Sequence, residues 1–296
     1  LDIVGKLPNG YHEMDMVMQT VSLCDTIFLQ LHPGSGQIQM SCRFEPDNTN
    51  LLSCGEDNIA VRCARAFFRE SGCSLQRHDL SIQLVKRIPM MAGLGGGSAD
   101  GAAVLAALSH LTQSGLSLEQ LEQIAVGCGA DIPFCLRGGT QRAQGIGEDF
   151  SPLSPMPDCP ILIIKPRFGI STKDAFARSD STAFSHAQVQ RMCQALDTGS
   201  VLPIADCLQN VFEQLCSSDE QKLLHQARQL LIQNGALGAL LSGSGSALFG
   251  LFDNEAAACA ARSALQDHPL LEGVFLCRPL PFGAFEAVRN SLRNPS

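Results

Sequence analysis

Alternation of hydrophobic and polar residues predicts that the first third of the chain is rich in β-structure. A period of two is typical of a strand with one buried face. The predicted strands cover residues 1–4, 14–23, 26–31, 37–42 and 80–88. Apolar positions at helical spacing predict one helix among them, over residues 57–71.

Helical spacing is more frequent in the remainder of the chain. It predicts helices over residues 99–111, 117–127, 174–178, 186–196, 218–234 and 255–266. Short apolar runs predict strands over residues 160–165, 239–241, 247–252 and 273–278. Ser117 and Gln120 have the spacing of a capping box. The chain length and the prolines between residues 152 and 160 indicate an α+β fold with two domains, residues 1–157 and 158–296.

Composition and charge narrow the class of protein. A hydrophobic content of 45% with 17% charged residues is typical of a globular protein, and no apolar run is long enough for a membrane-spanning helix. The net charge of −8 disfavours binding to nucleic acid or to an anionic membrane. The thirteen cysteines contain no C-x-x-C pair, and the start of the chain lacks the pattern of a secretory signal. We therefore expect reduced thiols and a cytoplasmic location.

A glycine-rich segment lies between a predicted strand and a predicted helix. It comprises Pro89, Met90, Met91, Ala92, Gly93, Leu94, Gly95, Gly96, Gly97, Ser98 and Ala99. Glycine permits positive φ and close approach of an anion, and the first N–H groups of a helix bind phosphate. The segment lacks the Gly-Lys-(Ser/Thr) ending of a Walker A loop and the last glycine of a dinucleotide fingerprint. A phosphate-binding loop is the prediction, and a tight turn needed only for packing is the alternative.

Three further segments carry candidate chemistry. Residues 241–247 form a second glycine segment, which is either a flexible hairpin or a second loop closing over the same ligand. Asp131 lies after a predicted helix and before Pro133; it either stabilises a turn or faces an alcohol as a base or orienting acceptor. Asn9-Gly10 predicts a hairpin turn, after which Tyr11 and His12 could stack on and hydrogen-bond to a base.

Together these segments resemble the GHMP family of small-molecule kinases. Residues 89–99 are similar to the family's ATP motif P-x-x-x-G-L-G-G-G-S-(S/A), and residues 241–247 are similar to its C-terminal glycine loop. The order of residues 1–12, Asp25-Thr26, residues 56–58 and residues 129–133 resembles one branch of the family, which acts in the non-mevalonate route to isoprenoids.

The resemblance implies a two-domain fold with the active site in the cleft between the domains. It implies transfer of the ATP γ-phosphate to the 2-hydroxyl of a cytidyl diphosphate. Residues 89–99 would wrap the ATP phosphates, with Ser98 near Mg²⁺, and Asp131 would accept the hydroxyl proton or orient that group. Tyr11 and His12 would hold the cytosine, and Phe176 would cover its other face. A monomer or weak homodimer that binds ATP and its small-molecule substrate, but no nucleic acid or membrane, is expected.

The sequence departs from the family pattern at three places. The catalytic lysine of the motif A-K-(I/L)-N-x-x-L would lie upstream of Leu1. Met91 occupies a usual glycine position, and Asn210 lies in a segment that only partly matches the usual Asn-Asp-Leu-Glu. Two other functions stay open: another GHMP kinase, such as homoserine or mevalonate kinase, and a nucleotide-binding sensor without catalysis. Asp131 argues against the sensor.

Overall fold

The computed structural model describes residues 1–46 and 52–293, which form two compact units. Unit 1 comprises Leu1–Leu23, Pro89–Leu94 and Gly139–Pro281, and unit 2 comprises Cys24–Ile88, Gly95–Gly138 and Phe282–Ser296. Each unit is therefore assembled from three separate segments. The predicted domains were continuous, and their boundary after residue 157 falls inside unit 1.

Strands and helices of comparable number confirm the α+β class. The strands are β1 (Asp2–Lys6), β2 (His12–Gln19), β3 (Thr26–Pro33), β4 (Ile38–Phe44), β5 (His78–Lys86), β6 (Thr140–Gly145), β7 (Asp149–Pro152), β8 (Ile161–Pro166), β9 (Gly238–Leu241), β10 (Leu248–Leu251) and β11 (Leu271–Cys277). The helices are α1 (Ile59–Glu70), α2 (Gly96–Leu111), α3 (Leu118–Val126), α4 (Ile132–Arg137), α5 (Thr172–Ser179), α6 (Val189–Asp197), α7 (Val201–Asp206), α8 (Phe212–Leu215), α9 (Ser218–Gln233), α10 (Glu255–Leu265) and α11 (Ala284–Arg293). In residues 1–46 and 52–293, no helix is long and apolar enough to cross a bilayer.

Unit 1 contains two four-stranded antiparallel sheets. One has the order β1-β2-β6-β7 and the other the order β11-β8-β10-β9. Every residue of β8 is buried, which accounts for the apolar run at its first four positions. Leu162 and Ile164 of this strand share a core with Leu224 and Leu231 of α9.

Unit 2 packs helices on a three-stranded sheet with the order β3-β5-β4. Strands β4 and β5 are parallel, and α1 lies in the connection between them. Alternate residues of β5, beginning at Leu80 and Ile82, are buried with Phe67 of α1. A Cβ at Gly101 of α2 would lie 2.8 Å from the Cys63 sulfur of α1. The small residues of α2 thus permit close packing of α2 against α1.

The helix ends correct some of the predicted boundaries. Ser117 and Gln120 form the predicted capping box at α3. Helix α2 begins at Gly96 rather than at residue 99, because Gly95 adopts φ +63° and serves as its N-cap. Six elements were not predicted from the sequence: α4, α7, α8, α11, β6 and β7.

Candidate functional site

The first part of the glycine-rich segment packs against the second glycine segment within unit 1. Gly93 has φ +71°, and a Cβ there would lie 2.1 Å from the carbonyl oxygen of Ser242. The Ser242 hydroxyl donates to the Gly93 carbonyl at 2.8 Å, and the Ala247 N–H donates to the Ala92 carbonyl at 3.1 Å. Glycine is required at position 93 because any side chain would overlap that backbone.

The second part of the segment forms the beginning of α2 in unit 2. The first N–H groups of a helix have no partner within it, and here they belong to Gly96, Gly97 and Ser98. A Cβ at Gly95 would meet no atom within 4 Å, so the space beside this turn is open. Open space beside unpaired N–H groups is the geometry of an anion site.

A buried cluster of charges lies beneath this turn. The Lys86 ammonium donates to a carboxylate oxygen of Asp25 and, at 2.8 Å, to one of Asp100. The three side chains are only 4%, 3% and 5% exposed. Asp25 also accepts hydrogen bonds from the N–H groups of Arg87 and Ile88. A Cβ at Gly96 would lie 3.1 Å from the Lys86 nitrogen, which places this cation directly under the first turn of α2.

The pKa values of this cluster follow from burial and charge. Burial lowers the pKa of Lys86, but the charges of Asp100 and Asp25 outweigh it and the net direction is upward. Burial raises the pKa of Asp100, Lys86 opposes the rise, and Asp25 adds to it, giving about 7. The second carboxyl oxygen of Asp100 has no hydrogen-bond partner among the described residues. A proton on Asp100 therefore leaves the cluster neutral.

Asp131 precedes α4, which packs on α2. Its side chain makes no capping hydrogen bond, and none is present to any other described residue. Protein atoms crowd the carboxyl group although the residue reaches solvent, and this desolvation raises the pKa of Asp131. Asp131 and Asp100 both act on the nearby Cys135 thiol, whose pKa burial and these charges raise to about 12. The unpaired carboxylate does not support the role of a turn stabiliser.

The second glycine segment is an anchored hairpin between β9 and β10. The Asn210 amide donates to the carbonyls of Leu241 and Gly243 at 2.9 and 2.8 Å. The hydroxyls of Thr172 and Ser244 are 2.6 Å apart. Asn210 therefore holds the backbone of this loop.

The predicted pyrimidine residues lie together in unit 1. The His12 ring stacks on Phe176, with centroids 4.8 Å apart and an interplanar angle of 26°. Tyr11 is 61% exposed, and its N–H donates to the Asn9 side chain at 3.1 Å in the predicted hairpin turn. One face of the Phe176 ring is therefore occupied by His12.

Three residues of these clusters, Lys86, Asp100 and Asp180, were not predicted from the sequence. Lys86 lies on the buried face of β5, and its even spacing from Leu80 and Ile82 could have indicated this. Asp180 contacts His12 and Lys6, which are far away in sequence, and no local sequence pattern predicts such contacts.

Two features of the described residues concern metal ligands and cysteines. No group of three or more His, Cys, Asp or Glu side chains there could hold a metal ion. All thirteen cysteines are free thiols.

Comparison with protein families gives two matches. The model of the GHMP kinases N terminal domain matches residues 58–139, and that of the GHMP kinases C terminal domain matches residues 192–269. The first match includes β5, the glycine-rich segment and Asp131.

Individual proteins match over most of the chain. The 4-diphosphocytidyl-2-C-methyl-D-erythritol kinase of Desulfitobacterium hafniense (strain Y51) is 39% identical over 256 residues, covering 86% of this chain and 84% of the relative. The kinase of the same name from Lachnoclostridium phytofermentans is 36% identical over 281 residues, covering 94% and 92%. A crystal structure of 4-(cytidine 5'-diphospho)-2C-methyl-D-erythritol kinase matches with a TM-score of 0.73 and 28% identity, covering 94% of each chain.

Proposed function

Because the chain belongs to the GHMP kinase family and resembles relatives of one name along most of its length, we propose that it phosphorylates 4-diphosphocytidyl-2-C-methyl-D-erythritol. ATP is the phosphate donor, and the 2-hydroxyl of the substrate is the acceptor. The reaction belongs to the non-mevalonate route to isoprenoid precursors. The structural observation that supports this most is the unpaired carboxylate of Asp131 at the N-cap of α4, a helix that packs against α2.

Phosphoryl transfer depends mainly on positioning and on neutralising charge. In unit 2, the N–H groups of Gly96, Gly97 and Ser98 would bind the ATP phosphates, and the Lys86 ammonium lies under the same turn. Asp131 would accept the proton of the attacking hydroxyl. Its raised pKa makes it a better proton acceptor than an ordinary aspartate, provided that it is ionised at the working pH.

Magnesium fits this scheme as an ion that accompanies the nucleotide. Mg²⁺ is commonly held by substrate phosphates together with one or two protein oxygens rather than by an all-protein cage. That habit agrees with the lack of a three-residue ligand cluster in the described part of the chain. Ser98 would supply the protein oxygen, and the ion would neutralise charge on the phosphates.

The pyrimidine end of the substrate would bind in unit 1. Tyr11 offers an exposed ring for stacking, and His12 offers a ring nitrogen for hydrogen bonding. Phe176 supports the His12 ring from behind, so its contribution to the pocket would be indirect. We retain a monomer or weak homodimer as the expected state, which light scattering would measure.

The central experiment compares the wild type with Asp131→Asn. We expect the variant to bind ATP normally and to lose turnover by about 10²–10⁴-fold in an ADP-release assay, as for removal of a general base. Glu119→Gln, an exposed carboxylate of the same unit, is the matched control and should keep full activity. Unchanged turnover in Asp131→Asn would remove the residue from the reaction. Faster turnover of homoserine or mevalonate than of the cytidyl substrate would assign the chain to another kinase of the family.

A further inference from the structure

A single carboxylate holds both residues of a cross-strand pair in unit 1. Lys6 of β1 and His12 of β2 lie opposite each other in the antiparallel register. Asp180, at the C-terminal end of α5, accepts from the Lys6 ammonium through one oxygen. Its other oxygen lies 2.9 Å from Nε2 of His12. The hydrogen bond from Lys6, followed by that from His12, holds the pKa of Asp180 below its usual value, so the group is a carboxylate.

This contact decides which nitrogen of His12 carries a proton. A carboxylate only accepts hydrogen bonds, so Nε2 must be the donor, and Nδ1 of the neutral ring is left as an acceptor. Nδ1 has no hydrogen-bond partner within residues 1–46 and 52–293. The ammonium of Lys6 balances the carboxylate, and therefore Asp180 orients the ring without requiring that His12 be charged.

The plane of the His12 ring is fixed as well. Phe176 stacks on one face of the ring, and Phe176 in turn makes a T-shaped contact with Phe212, with ring centroids 5.0 Å apart. The His12 side chain is only 12% exposed. Because both the plane and the tautomer of the ring are fixed, the unpaired acceptor Nδ1 points in a defined direction.

We propose that Asp180, neutralised by Lys6, is a positioning residue that fixes the His12 tautomer and thereby selects a pyrimidine bearing an exocyclic amino group. This inference rests on the proposed function, since it assumes that the pyrimidine of the substrate reaches His12. The N4 amino group of cytosine donates a hydrogen bond to an acceptor, whereas uracil presents a carbonyl oxygen at the same place. An acceptor at Nδ1 therefore favours cytosine. With uracil, the lone pair of Nδ1 would face a lone pair of the carbonyl oxygen, and no hydrogen bond could form.

The test measures binding of CDP and UDP by calorimetry to the wild type, to Asp180→Ala and to Asp180→Asn. We expect the wild type to bind CDP more tightly than UDP. In Asp180→Ala the ratio of the two affinities should fall about tenfold, which corresponds to the loss of one hydrogen bond, and ATP affinity should be unchanged. With the full substrate, KM should rise while kcat is maintained. Asp158→Ala, another aspartate of unit 1 that pairs with an arginine, is the matched control and should behave as the wild type.

A nitrogen-15 spectrum of the wild type gives a readout that does not depend on any variant folding. It should show the proton of His12 on Nε2. A proton on Nδ1 in the neutral ring, or an unchanged CDP-to-UDP ratio in Asp180→Ala when the wild type is selective, would overturn the role of Asp180 and leave the proposed kinase intact. A wild type that binds CDP no better than UDP would overturn the pyrimidine assignment and, with it, this inference.

Discussion

Replacing Lys86 by methionine should destabilise the protein by about 3–5 kcal/mol, because it leaves two buried carboxylates without their cation. Lys86 is the only cation that contacts Asp100 among the described residues, and both are almost fully buried. Methionine fills a similar volume, so the change removes the charge without opening a large cavity.

The magnitude follows from the geometry of the cluster. Attraction across the 2.8 Å between Lys86 and Asp100 is about 6 kcal/mol at an effective dielectric constant of about 20. Part of this loss is offset since methionine has no charge to desolvate and Asp100 can bind a proton. Asp25 also keeps its hydrogen bonds from the Arg87 and Ile88 N–H groups. The measured loss should therefore lie near the range for breaking one buried ion pair.

Urea denaturation followed by circular dichroism at pH 7.5 measures this free energy. Lys222→Met is the matched control, because Lys222 pairs with Asp219 on the exposed surface and should cost less than about 1 kcal/mol. Adding Asp100→Asn to Lys86→Met should recover more than about 1 kcal/mol, since it removes one stranded carboxylate. A Lys86→Met loss as small as that of the control, or no recovery in the double variant, would refute the reasoning.

Three further predictions concern the glycine-rich segment and the adjacent Asp100. The pKa of Asp100 rises from 3.8 to about 7 on folding, so the folded protein holds a proton that the unfolded chain releases, and stability should fall as pH rises between these values. The urea midpoint should follow this fall, and an equal slope in Asp100→Asn would contradict it. Gly95→Ala should lower the free energy of unfolding by about 1 kcal/mol, because alanine disfavours the positive φ at this position. Gly93→Ala should lower it by at least about 1 kcal/mol more, because its side chain would overlap Ser242. Equal melting temperatures of the two variants would contradict this. Met91 is 83% exposed with φ +50°, so Met91→Gly should stabilise by up to about 1 kcal/mol, and a lower melting temperature would argue against strain there.

The sequence predicted the long elements well because their apolar faces repeat several times. Helix α9 is sixteen residues long, and its predicted range ends one residue beyond the observed one. Helices α7 and α8, of six and four residues, are too short to display a period. Strand β6 carries polar residues at two of its buried positions, and β7 has no buried residue, so neither strand shows a clear alternation.

In the candidate site, too, features that depend on local sequence were predicted, and contacts between distant residues were not. Glycine occupies four of the five positions from 93 to 97 and permits backbone conformations that other residues avoid, so the loop could be recognised from the sequence alone. The partnership of Asp180 with His12 joins residues separated by 168 positions, and it depends on how unit 1 packs. Sequence patterns report local periodicity and do not contain such contacts.

The discontinuous make-up of the two units has a consequence for biosynthesis. The core of unit 2 includes Ala284, Phe285 and Val288 of α11, and the last segment of unit 1 ends at Pro281. Unit 1 is complete only when the ribosome has made Pro281, and the core of unit 2 only when it has made α11. A nascent chain of 157 residues contains neither unit whole, and its apolar strands would stay available to chaperones. The protein should therefore complete its folding late in translation or after release, instead of one domain at a time.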